Sequence, residues 1–466
     1  MFELGREFMR LFSGERLRPH TDGLTGGDAA LLELLDLNLL QQEAKAADIA
    51  AGRIGAQDRP QKRLDCAIVW REVARRSGDA VALRKAACAA ETAAAALDPH
   101  RRPDAWARAR CEQAFAGLLG AELFGDPGLD AAAGATFREA RAAARGGLTA
   151  ALADLGLALV AAREAYATGD AEAAWAAAAR FNAPVAALDA LIRRSPSIRP
   201  LAAEARLIRA DVLCGWGARL RDITLLKAAI DDAKSAADRL DIAYEPLTWA
   251  RAEILRGQGL ALWGEASGDV DAVAAGATTL AGALDHLTRD HSPLDWARTQ
   301  IALAQALQCL GAASADERAY EQAVTCYDRA NLVLKAAPAT PLRGLAAGER
   351  AMCLARSAEL TGDLAVLDTA EAALKTELCA LQPRRDPVAW ALVQLHLARL
   401  YEARADITGK DRGERAAAVM ALDAALDVFA DHGLRSLSVM ASEALERLRA
   451  GPTPRARWGQ AETPDR

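Results

Sequence analysis

Two histidines and two aspartates in the segment LDHLTRDHSP are the residue types in this sequence that best suit a metal ion. His286 and His291 are flanked by Asp285 and Asp290. Residues five apart lie on different sides of a helix, and the segment ends at Pro293, so the four side chains do not converge on one point. We therefore interpret them as a solvated helix end and predict no metal there.

Other motifs with catalytic chemistry are absent from the sequence. Asp231-Asp232 lacks the acidic cluster that a metal–diphosphate needs, and there is no GxxxxGK[ST], HExxH or GxSxG sequence and no GxGxxG after a strand. The eight cysteines are dispersed, with neither a CxxC pair nor zinc-like Cys–His spacing. We predict that they are structural thiols, and that the protein is not an enzyme and needs no cofactor.

Composition indicates an all-α protein without affinity for nucleic acid. Only 5% of the 466 residues are aromatic and alanine is abundant, which favours closely packed helices over β-sheets. The formal net charge of −6 gives no general attraction to phosphate backbones. The N-terminal sequence MFELGREFMRLFSGERL has no basic-then-apolar signal pattern, so we expect a cytoplasmic protein.

The elements that must position any functional residues come from a repeated segment. Ser292–Gly311 reads SPLDWARTQIALAQALQCLG, and similar segments begin at Pro103, Pro246 and Pro387, with weaker copies at Pro60, Pro200 and Pro341. From Pro200 onward the prolines are 46, 47, 48 and 46 residues apart. Self-similarity at such a period indicates a solenoid of stacked helical hairpins. We expect the tryptophan three residues after the proline to pack at equivalent positions in each strong copy: Trp106, Trp249, Trp296 and Trp390.

The sequence PLDWARTQIALAQALQCLG followed by AYEQAVTCYDRA resembles bacterial tetratricopeptide-type repeats with a P-L-x-W-A opening and a long unit. The match covers residues 246–335 and 387–400. This resemblance implies a superhelical scaffold that binds a protein or peptide, and it implies no reaction. We therefore expect a right-handed α-solenoid of about eight tetratricopeptide-like hairpins.

The chain divides into three parts on this interpretation. Residues 1–57 would hold an N-terminal helix at Met1–Ser13 and a capping helix at Ala29–Ala51 that covers the end of the stack. Residues 58–450 would form the solenoid, with a bend near 146–199, and residues 451–466 have the composition of a disordered tail. Met1–Ser13 would dock on the first repeat, and a membrane-surface helix is the less favoured alternative.

The concave face of the first helices is the expected binding surface. Aligning the repeats places six long polar side chains there: Arg251, Gln258, Arg298, Gln305, Gln308 and Arg399. Such side chains suit a peptide backbone or a carboxylate, and the recurrent arginine favours an acidic partner. A solvated helix face and a pocket for an enzyme or small-ligand sensor are the alternatives. Convergence of these residues on one closed cavity, rather than along an open groove, would favour a pocket.

Overall fold

A computed structural model describes residues 32–53, 58–166, 169–195, 198–336, 341–384, 387–431 and 435–450. The expectations for Met1–Ser13 and for 451–466 fall outside these ranges. All regular structure in the ranges is helical, as the composition predicts. In chain order the helices are α1 (Leu37–Gly52), α2 (Arg59–Ser77), α3 (Ala80–Ala95), α4 (Pro103–Phe124), α5 (Pro127–Ala143), α6 (Gly147–Tyr166), α7 (Ala171–Ala179), α8 (Asn182–Ile192), α9 (Arg199–Leu220), α10 (Ile223–Ala237), α11 (Pro246–Ser267), α12 (Val270–His286), α13 (Pro293–Ser314), α14 (Glu317–Leu334), α15 (Pro341–Thr361), α16 (Leu364–Ala380), α17 (Pro387–Thr408), α18 (Glu414–Asp431) and α19 (Arg435–Ala450).

Within each of the two compact units described below, successive helices pair into hairpins, and neighbouring hairpins pack against each other. The first helices of the hairpins are α2, α4, α6, α9, α11, α13, α15 and α17, and each is followed by a second helix, which in the α6 hairpin is divided into α7 and α8. The prediction of about eight helical hairpins in an all-α repeat fold is therefore confirmed. The fold divides into two compact units at Ala346 and Ala347, within α15. No helix in the described part of the chain is long and apolar enough to cross a membrane.

The turn inside each hairpin has a local chemical cause. At four of these turns the first helix ends in a Gly-Asp pair whose glycine has positive φ, a conformation that costs glycine little: Gly78, Gly125, Gly268 and Gly362. The next residue is an aspartate whose carboxylate accepts a hydrogen bond from a backbone N–H in the first turn of the second helix, as Asp79 does from Val81 at 2.8 Å. Each Gly-Asp pair thus ends one helix and begins the next.

Two turns depart from the sequence-based expectation, which placed them near Gly217 and Gly311. The helices continue to Leu220 and Ser314, so both expectations are wrong. These glycines are packing positions: a Cβ at Gly311 would lie 2.9 Å from a ring carbon of Tyr320. Because glycine has no side chain, two helices can approach closely at these positions, and the helix itself continues past the glycine.

At one of these turns Ala315 occupies the left-handed position, with φ of 52°. Because an L-residue with a Cβ is strained there, we expect Ala315→Gly to stabilise the protein by about 1 kcal/mol. The matched control is Ala313→Gly, which lies in helical backbone in the last turn of α13 and should destabilise by up to about 1 kcal/mol. Urea unfolding of both variants measures the difference, and equal effects would contradict the assignment of strain to Ala315.

The repeated tryptophans lie at the junctions between hairpins. Trp106, Trp249, Trp296 and Trp390 are all partly buried and packed against core clusters. Trp249 contacts both the apolar cluster between α9 and α10 and the one between α11 and α12. The shared proline-to-tryptophan spacing therefore corresponds to a shared packing role.

Between residues 171 and 192 a single second helix is replaced by the shorter helices α7 and α8. Chain direction changes at Arg180-Phe181, and Pro184 follows in the first turn of α8, where a missing backbone N–H needs no partner. Phe181 is fully buried at this corner. The break between the two helices thus lies a few residues before Pro184.

The segment before α1 contacts helices that are distant in sequence. Glu33 is buried, and its carboxylate accepts hydrogen bonds from the backbone N–H groups of Leu247 and Thr248 at 3.0 and 2.9 Å. It thereby caps α11, whose own N-cap residue Glu245 makes no capping bond. Leu37 N–H donates to the Asp290 carbonyl at 3.0 Å, just before α13. We call residues 32–36 the tie segment.

Helix α1, which falls in the segment predicted to cap the stack, packs on α2, the first helix of the first hairpin. The tie segment also makes contacts that were not predicted, because it joins the first hairpin to the starts of α11 and α13. Arg76 holds it from α2 by donating to the carbonyls of Leu35 and Leu32, both at 2.8 Å. The first unit is consequently closed by contacts between its early and late hairpins.

Candidate functional site

A cavity of about 660 Å³ lies within the first unit, between the first helices of its hairpins. We call it the central cavity. Its apolar wall consists of Phe115, Leu118, Leu119, Leu159, Ala162, Leu207, Ile208, Val212, Trp216, Ile254, Leu255, Ile301, Ala302, Leu342 and Leu345. Its polar groups are Arg71, Arg75, Glu122, Arg163, Tyr166, Glu204, Asp211, Arg251, Gln258, Asp295, Arg298 and Gln305. Mostly apolar walls with a few polar side chains are typical of ligand sites.

Four of the six residues predicted from the sequence line the central cavity. Arg251 and Arg298 lie five residues after Pro246 and Pro293, and Gln258 and Gln305 lie 12 residues after them. Equal offsets put side chains at equivalent places on stacked helices, which is why they meet.

The other two predicted residues lie elsewhere. The side chain of Gln308 accepts a hydrogen bond from the Tyr327 hydroxyl at 3.0 Å, so it is turned toward the second helix of its own hairpin. Arg399 belongs to the second unit. Four of the six predicted residues therefore line the central cavity, and Gln308 and Arg399 are not among its lining residues.

The two predicted arginines that line the cavity, Arg251 and Arg298, are already paired with acidic residues of the chain. Arg251 donates to Glu204 at 3.2 Å, and Arg298 donates to Glu122 on α4. Arg298 is also 3.9 Å from Asp295. A partner carboxylate would have to compete with these internal ones.

A buried charge network forms one end of the site and joins α2 to α13. The Arg75 guanidinium donates to Asp295 at 2.7 Å and to Glu72 at 2.7 and 2.8 Å. The Ser292 hydroxyl, which is fully buried, donates to the same oxygen of Asp295 at 2.7 Å. Burial alone would raise the pKa of Asp295, but Arg75, with Arg251 and Arg298, outweighs it and holds the pKa at about 2.

Asp211 differs from the other charged groups of the wall. It is exposed to the central cavity, but no hydrogen bond or ion pair to its carboxylate is found among the described residues. Loss of hydration inside the ring of helices raises its pKa to about 6. The charge of Glu122 acts in the same direction, while Arg298 and Arg163 oppose it. The sequence analysis did not single out this residue.

Two aromatic rings line the central cavity together with Asp211. Tyr166 and Trp216 meet edge to face, with ring centroids 5.3 Å apart, and the Tyr166 hydroxyl donates to the Gly215 carbonyl at 3.2 Å. The guanidinium of Arg219 lies 5.1 Å from the centroid of the Tyr166 ring. Burial raises the pKa of Tyr166, Arg219 opposes this, and the charge of Asp211 adds to it.

The sequence contained a signal for some of the missed residues. Counting the same 12 positions from Pro103 and Pro200 gives Phe115 and Val212, which line the central cavity. Asp211 is the neighbour of Val212 and therefore sits at the edge of the same face. Aligning the copies at Pro103 and Pro200 on their prolines therefore predicts both of these wall positions.

No group of three or more potential metal ligands is found among the described residues. Burial raises the pKa of the Cys66, Cys111 and Cys214 thiols to about 12, so at neutral pH they stay protonated. His291 is a tie-segment contact, because its Nε2 lies within hydrogen-bond distance of the Glu33 carbonyl.

No family model matches the chain, and no curated protein matches it. Solved structures with some similarity are helical repeat proteins. A Rap protein complexed with competence and sporulation factor is 11% identical over 84% of this chain and 98% of that one, with a TM-score of 0.43. A monomeric mutant of IFIT1 with m7Gppp-AAAA is 13% identical over 88% of this chain and 86% of that one, with a TM-score of 0.41. Similarity at this level says nothing about the ligand of this chain.

Proposed function

We propose that this protein is a non-enzymatic binding protein, built from long-period tetratricopeptide-type repeats, that takes a short peptide segment into the central cavity. The observation that carries the proposal is the position of Gln258 and Gln305. They come from neighbouring repeats, line the same cavity, and make no hydrogen bond to another described residue. An amide side chain both donates and accepts, so a pair of them can satisfy a peptide group of a ligand.

The size and walls of the cavity favour a short segment over a folded partner. Its volume of about 660 Å³ falls in the range of about 300–1,000 Å³ that ligand cavities occupy. An open groove, the arrangement first expected from the repeats, would instead spread its polar residues along the stack. The partner therefore enters as an extended segment or a chain end.

The support for a non-enzymatic role comes from the residue types at the wall. No histidine, cysteine, serine, threonine or lysine lies among the described residues that line the cavity. Of its four carboxylates, Glu122, Glu204 and Asp295 are ion-paired. Acid–base chemistry normally uses two groups with separate roles, whereas here one carboxylate is left without a partner.

The test uses Gln258→Leu/Gln305→Leu, which removes both amides and keeps similar side-chain volume. Pentapeptides selected on the wild-type protein from a synthetic library should bind the double variant about tenfold more weakly, because each lost hydrogen bond contributes roughly 0.5–1.5 kcal/mol. Isothermal titration calorimetry measures the affinities.

Gln308→Leu is the matched control, since Gln308 lies one turn further along α13 and bonds Tyr327 instead. It should leave peptide affinity unchanged. Equal losses in the control and the double variant, or no loss in either, would remove the cavity from consideration as the binding site.

A further inference from the structure

We infer that the ligand bound in the central cavity presents an ammonium group, which Asp211 recognises. This inference rests on the proposed function and adds to it the charge of the ligand. It differs from the sequence-based expectation of an acidic partner, which was drawn from the recurrent arginines alone.

The cationic side chains of the cavity are already paired with acidic residues. Each of the five arginines that line the wall already has an acidic partner within the chain. The pairs are Arg71 with Glu112, Arg75 with Glu72 and Asp295, Arg163 with Asp130, Arg251 with Glu204, and Arg298 with Glu122. An anionic ligand would have to share an arginine with one of these internal carboxylates, whose negative charge opposes its binding.

Asp211 is the charged group of the wall for which the described residues provide no such partner. Its carboxylate faces the cavity and has its full accepting capacity available, so an ammonium can bind it without breaking an internal pair. Arg163 and Arg298 are near enough to act on Asp211, but they are engaged by Asp130 and Glu122.

An aromatic side chain, Tyr166, lines the same cavity as Asp211. Tyr166 lines the cavity and is 40% exposed, and its ring already attracts the guanidinium of Arg219 on one side. Aromatic faces attract cations, and amines in proteins are commonly held by a carboxylate together with such a face. The apolar wall supplied by Leu159, Val212 and their neighbours would then accept the remainder of the ligand.

A charged carboxylate that is left without a partner should lower the stability of the unliganded protein. Asp211 meets this expectation. Its pKa in the folded state, about 6, exceeds the ordinary value of 3.8, so folding favours the protonated form. The stability that this proton contributes is fully present below pH 3.8 and is lost as the pH rises through 6. The charged groups that act on Asp211 are Glu122, Arg163 and Arg298, and Tyr166 and Cys214 are also electrostatically coupled to it.

The experiment compares three pentapeptide pools of identical apolar sequence on the full chain. One pool has a free amino terminus and an amidated end, the second is acetylated and amidated, and the third is acetylated with a free carboxylate. At pH 7.5 we expect the first pool to bind at least tenfold more tightly than the second, and the third to bind most weakly. Asp211→Asn should abolish the preference for the first pool and keep the affinity of the second.

The variant also separates recognition from folding. Because Asp211→Asn removes an unfavourable charge, its melting temperature at pH 7.5 should equal or exceed that of the wild type. The preference for the amino-terminal pool should also decline in the wild type between pH 7.5 and 5, as Asp211 takes up a proton. A structural role alone would lower the melting temperature and leave the preference among pools unchanged.

The remaining outcomes are distinguishable. Equal affinity for the first two pools, or preference for the third, overturns the inference and leaves the proposed function standing. Failure of every pool to bind overturns the proposed function, and the ammonium inference with it. Binding of hexylamine alone is measured as well. If hexylamine binds as tightly as the first pool and binds Asp211→Asn more weakly, the result supports recognition of an ammonium group. The ligand in the proposed function would then be a small amine and not a peptide.

Discussion

Replacing Gly276 with alanine should destabilise the protein by at least about 3 kcal/mol, because the added methyl group has no space. A Cβ at this position would lie 2.6 Å from the Gly257 carbonyl oxygen and 2.7 Å from the Ala261 backbone nitrogen. These are backbone atoms of α11, which cannot move aside as a side chain can. The helices α11 and α12 would have to separate, and the apolar contacts of Leu280 and Val273 would be lost with them.

Gly282→Ala is the matched control on the same helix. A Cβ there meets nothing within 4 Å, so the substitution should stabilise by about 1 kcal/mol through helix propensity alone. Chemical denaturation of the two variants gives opposite signs if the close approach at Gly276 is real. A mild effect at both positions would mean that α11 and α12 pack less closely than described.

The second large effect concerns Asp295. Asp295→Asn should destabilise the first unit by about 3–5 kcal/mol, because it leaves the buried Arg75 with only part of its counter-charge. Glu72 is the other acid that contacts Arg75, and it is shared with Arg76. As a control, Asp290→Asn removes an exposed carboxylate that lies 3.8 Å from Arg289, and it should change stability by less than about 0.5 kcal/mol.

Acid titration provides an independent measurement of the same group. Since the folded-state pKa of Asp295 is about 2 and the ordinary value is 3.8, its contribution is complete above pH 4 and is lost as the pH falls toward 2. The wild type should therefore lose stability in this interval by an amount that Asp295→Asn does not lose. Parallel acid profiles would show that Arg75 and Asp295 are not coupled as described.

The hairpins could be predicted from the sequence because their determinants are local. A proline begins each strong repeat, Gly-Asp pairs end one helix and cap the next, and the tryptophan spacing is short. The same local reasoning gave wrong turn positions at Gly217 and Gly311, because these glycines allow close packing of helices and do not end them. Handedness of the stack stays a prediction.

The site was predictable only in part. Gln258 and Gln305 were found through their equal offsets, which is a property of the repeat. The pairing of α2 with α13 was not predictable, since Arg75 and Asp295 are separated by 220 residues and nothing near either one indicates the other. For the same reason the sequence does not indicate that Arg251 and Arg298 pair with Glu204 and Glu122.

The tie segment has a consequence for how the first unit folds. In a linear array of repeats each hairpin contacts only its neighbours, so the array can fray from its ends and fold from any point. Contacts of Glu33 with Thr248 and of Arg75 with Asp295 connect the early hairpins to the late ones, and they can form only after the intervening chain has been brought into place. Closure therefore adds long-range contacts that slow folding, and it removes two free ends at which unfolding would begin. The hairpins between α2 and α13 should accordingly behave as one cooperative block.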